Sequence, residues 1–88
     1  MAEQLRVALL RIKQVQALTG DSRSAAFEKR KAGLLPQPIS TGLRAKAYPE
    51  HEILAINGAR IAGATDDQIR DLVKRLHAER KKFAPKVD

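Results

Sequence analysis

The four residues 19–22 restrict the fold of this chain more than any other feature, because they end one helix and begin another almost at once. Apolar residues recur every three positions over 12–18, which predicts a short amphipathic helix there. Gly20 can adopt the left-handed conformation that ends a helix, and Asp21 and Ser22 are both good N-cap residues. Two helices separated by so short a turn are typical of a helix-turn-helix, whose second helix lies in the major groove of DNA.

The second helix is predicted over 23–32, where Ala26 and Phe27 are expected to face inward. Gly33 is the expected end of this helix, and Pro36 prevents it from continuing. The basic residues of this helix therefore lie on the element that would meet DNA.

A β-hairpin wing is predicted over 39–48, because two short extended segments flank Gly42. Glycine adopts a positive φ at little cost, so Gly42 is the expected turn residue. Period-two alternation places Lys46 on the same face as Tyr48, which is expected to be buried. Either the wing twists near its tip, or the stem of Lys46 is buried and its ammonium group reaches solvent.

Two further helices are predicted after the wing. The third begins at Pro49 and ends at Gly63, and Thr65 with Gln68 forms a capping box at the start of the fourth, over 65–78. The apolar stripe of this last helix consists of Ile69, Leu72, Val73 and Leu76. We expect the stripe to pack against the third helix, with self-association as the alternative.

The composition indicates one small domain that is not stabilised by a disulfide or by a thiolate-bound metal ion. The chain has 88 residues and no cysteine, so it has neither a disulfide nor a thiolate zinc site, as is typical of a reducing cytosol. No apolar run approaches the roughly 20 residues of a membrane span, and the first ten residues lack the apolar centre of a signal peptide. We expect a cytoplasmic protein with no cofactor, a disordered N-terminus at 1–8, one winged helix-turn-helix domain at 9–78 and a frayed basic tail at 79–88.

The distribution of charge indicates a polyanionic partner. The net charge is +7 overall, +4 over residues 21–48, −3 over 49–72 and +4 over 73–88. A single basic cluster could serve only to keep a small protein soluble. Two basic clusters on either side of an acidic segment make that explanation weaker. A basic helix-turn-helix and wing are the electrostatic pattern of a DNA-binding surface.

A series of short motifs runs through the first two thirds of the chain. The motifs are Leu9-Leu10-Arg11-Ile12-Lys13, Leu18-Thr19-Gly20, Ser22-Arg23-Ser24, Gly33, Pro36, Pro38, Gly42, Arg44 and Tyr48-Pro49-Glu50. In this order and spacing they resemble the AlpA family of prophage regulators over about residues 9–62. The resemblance implies a mainly α, MerR-like winged helix-turn-helix that is related in fold to phage excisionases.

The second helix departs from the family pattern. The family usually has Thr, Ile, Tyr and Arg where this chain has Ala25, Ala26, Phe27 and Glu28, and it usually has Trp in place of Tyr48. The resemblance therefore implies the scaffold and not the target sequence.

Nine residues are the candidate DNA contacts. They are Ser22, Arg23, Ser24, Ala25, Glu28, Lys29, Lys31, Arg44 and Lys46. Arg23 is placed either to bind phosphate or to read guanine with two hydrogen bonds. Lys29 and Lys31 are expected to contact the phosphate backbone, because lysine is a point charge rather than a planar fork.

The role of Glu28 has two interpretations. A carboxylate near DNA is repelled by phosphate unless it accepts a hydrogen bond from cytosine or stabilises a basic neighbour. Lys31 lies three residues further on, which permits an ion pair within the helix, and we favour that interpretation.

No catalytic or metal site is predicted. His51 and His77 belong to different helices and are expected to be surface histidines, while Glu50, Glu52 and the Asp66-Asp67 pair are explained by their positions at helix N-termini. We therefore expect a sequence-specific double-stranded DNA-binding protein that regulates transcription in a phage or genomic island, alone or as a homodimer, and contacts a phage recombinase or RNA polymerase. An excisionase-like architectural factor is the first alternative. A protein-interaction module that uses the C-terminal helix is the second.

Overall fold

The structure of the protein, a computed structural model, describes residues 8–83. The elements in chain order are β1 (Leu9–Leu10), α1 (Ile12–Thr19), α2 (Arg23–Lys31), β2 (Ile39–Ser40), β3 (Lys46–Pro49), α3 (Glu50–Ile61) and α4 (Asp66–Glu79), with a 3-10 helix at Arg80–Phe83. Four helices and a small antiparallel sheet confirm the mainly α fold class and are consistent with a winged helix-turn-helix.

The turn between α1 and α2 has the predicted chemistry. Gly20 ends α1 with φ of +78°, and its N–H donates to the carbonyl of Gln16. Ser22 is the N-cap of α2, where its Oγ accepts a hydrogen bond of 3.1 Å from the N–H of Ala25. These local interactions confirm the helix-turn-helix and set the direction in which α2 leaves the turn.

The three strands form one antiparallel sheet in the order β1-β3-β2. Ile39 pairs with Ala47 in the wing, and Leu10 of β1 pairs with Tyr48 on the other side of β3. The prediction that Gly42 adopts a positive φ is wrong, because the residues with positive φ within 8–83 are Gly20, Gly33 and Gly63. The wing therefore turns without the left-handed conformation.

The main core lies between the sheet, the two helices of the helix-turn-helix and the start of α3. Its buried members are Leu10, Val15, Ala26, Leu35, Tyr48 and Ile53. Phe27 is not an inward anchor as predicted, since 48% of its surface is exposed. Ala26 already faces the core, and the next residue of an α-helix points about 100° away from it.

A second apolar cluster joins α3 to α4. Its buried members are Ile56, Ile69, Val73 and Leu76, with Leu72 partly buried beside them. The capping box is also present, because Thr65 and Gln68 exchange hydrogen bonds between side chain and backbone. The prediction that the stripe packs within the monomer is confirmed.

The C-terminal end of the fold rests on an ion pair that links distant parts of the chain. Glu52 in α3 is completely buried, and its carboxylate accepts two hydrogen bonds from Arg80, at 2.6 and 2.8 Å. The sequence interpretation of Glu52 as a helix-terminus charge is therefore incomplete. The expectation of a frayed tail from residue 79 is wrong for Glu79, which ends α4, and for Arg80–Phe83. The expectation of a disordered N-terminus is wrong for Ala8, whose carbonyl accepts a hydrogen bond from the N–H of Glu50, while 1–7 and 84–88 lie outside the described residues.

The same arginine also holds the loop that leads into the wing. Nη2 of Arg80 donates to the carbonyl of Gln37 at 2.7 Å, and the N–H of Gln37 donates to Nε2 of His77 at 3.1 Å. Both backbone groups of Gln37 are thus satisfied by the end of α4. His77 is consequently not the isolated surface histidine that the sequence suggested.

Replacing Arg80 by alanine should lower the free energy of unfolding by about 3–5 kcal/mol, because the buried carboxylate of Glu52 would lose its partner. A domain of this size has a total stability of only about 3–5 kcal/mol, so the variant should be largely unfolded. Urea denaturation followed by circular dichroism measures the difference. The control is Lys81→Ala, which removes a neighbouring exposed charge, and equal stability of the two variants would contradict the prediction.

Stability should fall on acidification because of His77. Burial, together with the positive charge of Arg80, lowers the pKa of His77 below its usual value, while Glu52 acts in the opposite direction. The folded state therefore binds a proton less tightly than the unfolded state. The contribution of His77 is complete above the usual pKa of about 6.5 and is lost as the pH falls from there towards the lower pKa of the folded state.

Melting curves at pH 7.5 and 5.5 check this dependence. His77→Gln should reduce the difference between the two melting temperatures, since an amide oxygen can still accept from Gln37 but does not titrate. His51→Gln alters the only other histidine of the chain and serves as the control. An undiminished difference in His77→Gln would assign the acid sensitivity to other groups.

Candidate nucleic-acid interface

One face of α2 is free of the core and carries two arginines around an aromatic ring. Arg23, Phe27 and Arg30 follow one another at spacings of four and three residues, which places them on the same side of the helix. Ala26 faces the core on a different side. The exposed face therefore begins at the N-terminus of the second helix of the helix-turn-helix, the end that enters the major groove in proteins of this class.

This face forms one wall of a groove of about 570 Å³, which we call the basic groove. The start of α1 and the wing form the other walls. The lining residues are Arg11, Ile12, Lys13, Arg23, Phe27, Arg30, Pro38, Arg44, Lys46 and Tyr48. Six of these residues are basic and none is acidic. A concave surface lined by positive charges concentrates the positive electrostatic potential and attracts anions.

The side chain of Arg30 is held in place before any ligand arrives. Its Nη1 donates a hydrogen bond of 2.6 Å to the hydroxyl of Tyr48, and its guanidinium carbon lies 5.5 Å from the centroid of the Phe27 ring. Tyr48 is only 3% exposed, so its ring belongs to the core while its hydroxyl reaches the groove. Since a guanidinium has five N–H donors, Arg30 keeps several for a phosphate or a guanine edge.

Phe27 offers an apolar contact within this charged surface. Arg30 and Lys31 both lie near its ring, with the ammonium nitrogen of Lys31 at 5.5 Å from the ring centroid. About half of the side chain remains exposed. An exposed ring on a helix in the major groove can contact the methyl group of thymine.

Two wing residues lie in the basic groove as their sequence positions suggested. Arg44 and Lys46 are exposed and line it opposite α2, and Lys46 stands beside the buried Tyr48. Lys46 is therefore exposed although period-two alternation places it on the same face of the strand as the buried Tyr48. Ala47 and Tyr48 are both buried because β3 is the central strand of the sheet.

Lys29 is placed away from the basic groove. Its ammonium group forms an ion pair of 2.8 Å with Asp21, whose side chain is only 11% exposed. The second carboxylate oxygen of Asp21 is buried and has no hydrogen-bond partner among residues 8–83. The charge of Lys29 therefore stabilises the turn between α1 and α2 instead of facing the groove.

The remaining predicted contacts are not among the residues that line the basic groove. Ser22, Ser24, Glu28 and Lys31 are exposed, while Ala25 is half-buried and its N–H donates to the N-cap Ser22. Within the described part of the chain Glu28 forms no ion pair with Lys31, so the favoured interpretation of this carboxylate is wrong. Lys31 contacts the Phe27 ring instead.

Only three of the ten residues that line the basic groove were candidate DNA contacts, and the sequence reasoning missed the other seven, namely Arg11, Ile12, Lys13, Phe27, Arg30, Pro38 and Tyr48. The signal for Arg30 was present, because it lies seven residues after Arg23 and so two helical turns along the same face. Arg11 and Lys13 belong to the start of α1, which only the pairing of β1 with β3 brings beside the wing.

Across residues 8–83, no three His, Asp or Glu side chains lie close enough together to hold a metal ion. None of the helices in this range has the length and apolar character needed to cross a membrane.

A comparison with protein families matches the segment of the chain that contains the basic groove. The family described as Prophage CP4-57 regulatory protein (AlpA) matches residues 8–55, which is more than half of the chain. The matched segment contains every residue that lines the basic groove. Comparisons with curated proteins and with solved structures gave no match.

Proposed function

We propose that this chain, which belongs to the AlpA family of prophage regulatory proteins, binds specific double-stranded DNA sequences and regulates transcription in a phage or genomic island. It acts in the cytoplasm, where such DNA is found, and it has no catalytic activity. The observation that carries this proposal is the basic groove, in which six cationic side chains face the same opening as the exposed face of α2.

The walls of the basic groove have different tasks in this proposal. Arg23, Phe27 and Arg30 of α2 contact base edges in the major groove, where arginine pairs with guanine and an aromatic ring meets the thymine methyl group. Arg44 and Lys46 of the wing bind the phosphates beside that groove and so set the register of the protein on the duplex. Arg11 and Lys13 supply further phosphate contacts from the start of α1.

An excisionase-like architectural factor is the closest rival, because it would use the same groove. A regulator implies contact with RNA polymerase, an excisionase implies contact with a phage recombinase, and a second copy on paired half-sites is compatible with either. Recovering DNA fragments bound by the protein from its source genome separates the two, since sites beside promoters support the regulator and sites beside attachment sequences support the excisionase.

A protein-interaction module that uses the C-terminal helix has less support. Its apolar stripe would have to be available to a partner, whereas Ile69, Val73 and Leu76 are buried against α3. Lack of DNA binding at moderate salt would nevertheless favour that module over both DNA-binding functions.

Binding should weaken steeply with salt. If four to six phosphates are neutralised by the basic groove, the logarithm of the association constant should fall against the logarithm of salt concentration with a slope of about −4 to −5. A fluorescence titration with a short duplex measures the slope. A slope near zero would remove the basic groove as the DNA-binding surface.

Single substitutions should separate base reading from phosphate binding. Arg23→Ala should cost about 1–3 kcal/mol and relax the preference at one base pair, whereas Lys46→Ala should weaken all sequences alike and reduce the salt slope by about 1. Lys29→Ala is the matched control, because it removes a positive charge from α2 that is paired with Asp21 outside the groove.

Competition between specific and scrambled duplexes measures these effects, with each variant checked for folding. Lys29→Ala should leave the salt slope unchanged. An unchanged specificity ratio in Arg23→Ala would make this residue a backbone contact, and a lower slope in Lys29→Ala would contradict the assignment of this charge to the helix-turn-helix turn.

A further inference from the structure

Leu43 lies at the tip of the wing and is fully exposed, with a relative exposure of 105%. Single exposed leucines are common on protein surfaces, so exposure alone assigns no role. The surroundings of this residue are unusual, however, because Arg44 follows it directly and Lys46 lies two residues further on. Both of these cations line the basic groove. The exposed apolar group is thus carried on the wall that is proposed to hold DNA phosphates.

The backbone of the wing tip is held by its own hydrogen bonds. The N–H of Thr41 donates to the carbonyl of Ala45 at 2.9 Å, and Oγ of Ser40 donates to the carbonyl of Gly42 at 3.1 Å. Leu43 lies in the middle of this closed turn. The side chain is therefore presented from an ordered turn, so less conformational entropy is lost when it is buried in a ligand.

The neighbouring glycine makes the tip narrow. Gly42 does not adopt a positive φ, and a Cβ at this position would meet only the Cβ of Ala45 at 3.7 Å, an ordinary van der Waals contact. The turn therefore does not require glycine for its backbone conformation. What glycine provides is the absence of a side chain next to Leu43.

A narrow apolar tip fits the minor groove of DNA, which is about 6 Å wide. If the exposed face of α2 lies in the major groove, we expect Arg44 and Lys46 to meet the phosphate strand that separates the two grooves. Leu43 lies nearer the tip of the wing than these two cations, so we expect it to reach the adjacent minor groove. Leucine is one of the apolar side chains that proteins insert between base pairs from that side.

We propose that Leu43 inserts between two base pairs from the minor groove and bends the DNA, while Arg44 and Lys46 hold the flanking phosphates. This inference rests on the proposed DNA-binding function and adds a specific deformation to it. Insertion is least costly at flexible pyrimidine–purine steps, so such a step should occur in the bound sequence at a fixed distance from the bases that α2 contacts. Specificity would then extend to a position without any hydrogen bond.

The test compares Leu43→Ala with Leu43→Met and Lys46→Ala on one duplex that contains a binding site. Energy transfer between dyes at the two ends measures the bend, and 2-aminopurine at successive positions reports unstacking through its fluorescence. The wild-type protein should bend the duplex by about 20–90° and unstack one step. Leu43→Met should retain both effects, because methionine is also inserted by proteins of this kind.

Leu43→Ala should lose most of the bend and the 2-aminopurine signal, and it should bind about tenfold more weakly. Its salt slope should remain that of the wild type, because an apolar contact releases no counterions. Lys46→Ala should show the reverse, with a slope lower by about 1 and the bend retained. The melting temperature of Leu43→Ala should equal that of the wild type, since the side chain contacts no core residue.

A wild-type bend and affinity in Leu43→Ala would overturn the proposal. So would a variant that bends single sites normally and loses only cooperative binding to two adjacent sites, because Leu43 would then contact a second copy of the protein. Salt-dependent binding without any bend would overturn the insertion and leave the proposed function intact. Failure of the wild-type protein to bind duplex DNA would overturn both.

Discussion

The carboxylate of Glu52 is removed from water entirely, and the rest of the fold has to supply a cation for it. Arg80 provides that cation from 28 residues away, with two hydrogen bonds to the carboxylate and a third to the carbonyl of Gln37. These contacts can form together only if α4 packs along α3 and ends beside the loop that leads into the wing. The position of the wing relative to α2 therefore depends on a charge pair outside the helix-turn-helix.

The basic groove depends on the core in a similar way. Tyr48 fills the core with its ring and reaches the groove with its hydroxyl, where it accepts a hydrogen bond from Arg30. A single residue thus connects the packing of β3 with the orientation of a cation on α2. Because the ring is fixed by its neighbours in the core, Arg30 has fewer conformations to lose when it binds a ligand.

Features that are set by neighbouring residues were predictable from the sequence. The turn at Gly20 and Ser22, the capping box at Thr65 and the stripe of α4 all follow from local rules and were confirmed. Phe27 lies outside the core because Ala26, the residue before it, faces the core, and the next residue of a helix points about 100° away. The partners of Glu52, Lys29 and Arg30 were not predictable, because each pair is formed by the relative placement of separate elements.

The boundary of the family match has a consequence for any attempt to move this recognition unit into another protein. The match ends at residue 55, so it includes Glu52 and excludes Arg80. A graft that ends at that boundary would transfer Glu52 without Arg80. The recipient protein would then contain a buried carboxylate that no cation neutralises. The smallest interchangeable unit is accordingly larger than the matched segment. It extends to the end of the 3-10 helix, unless Glu52 is first exchanged for an apolar residue of similar volume.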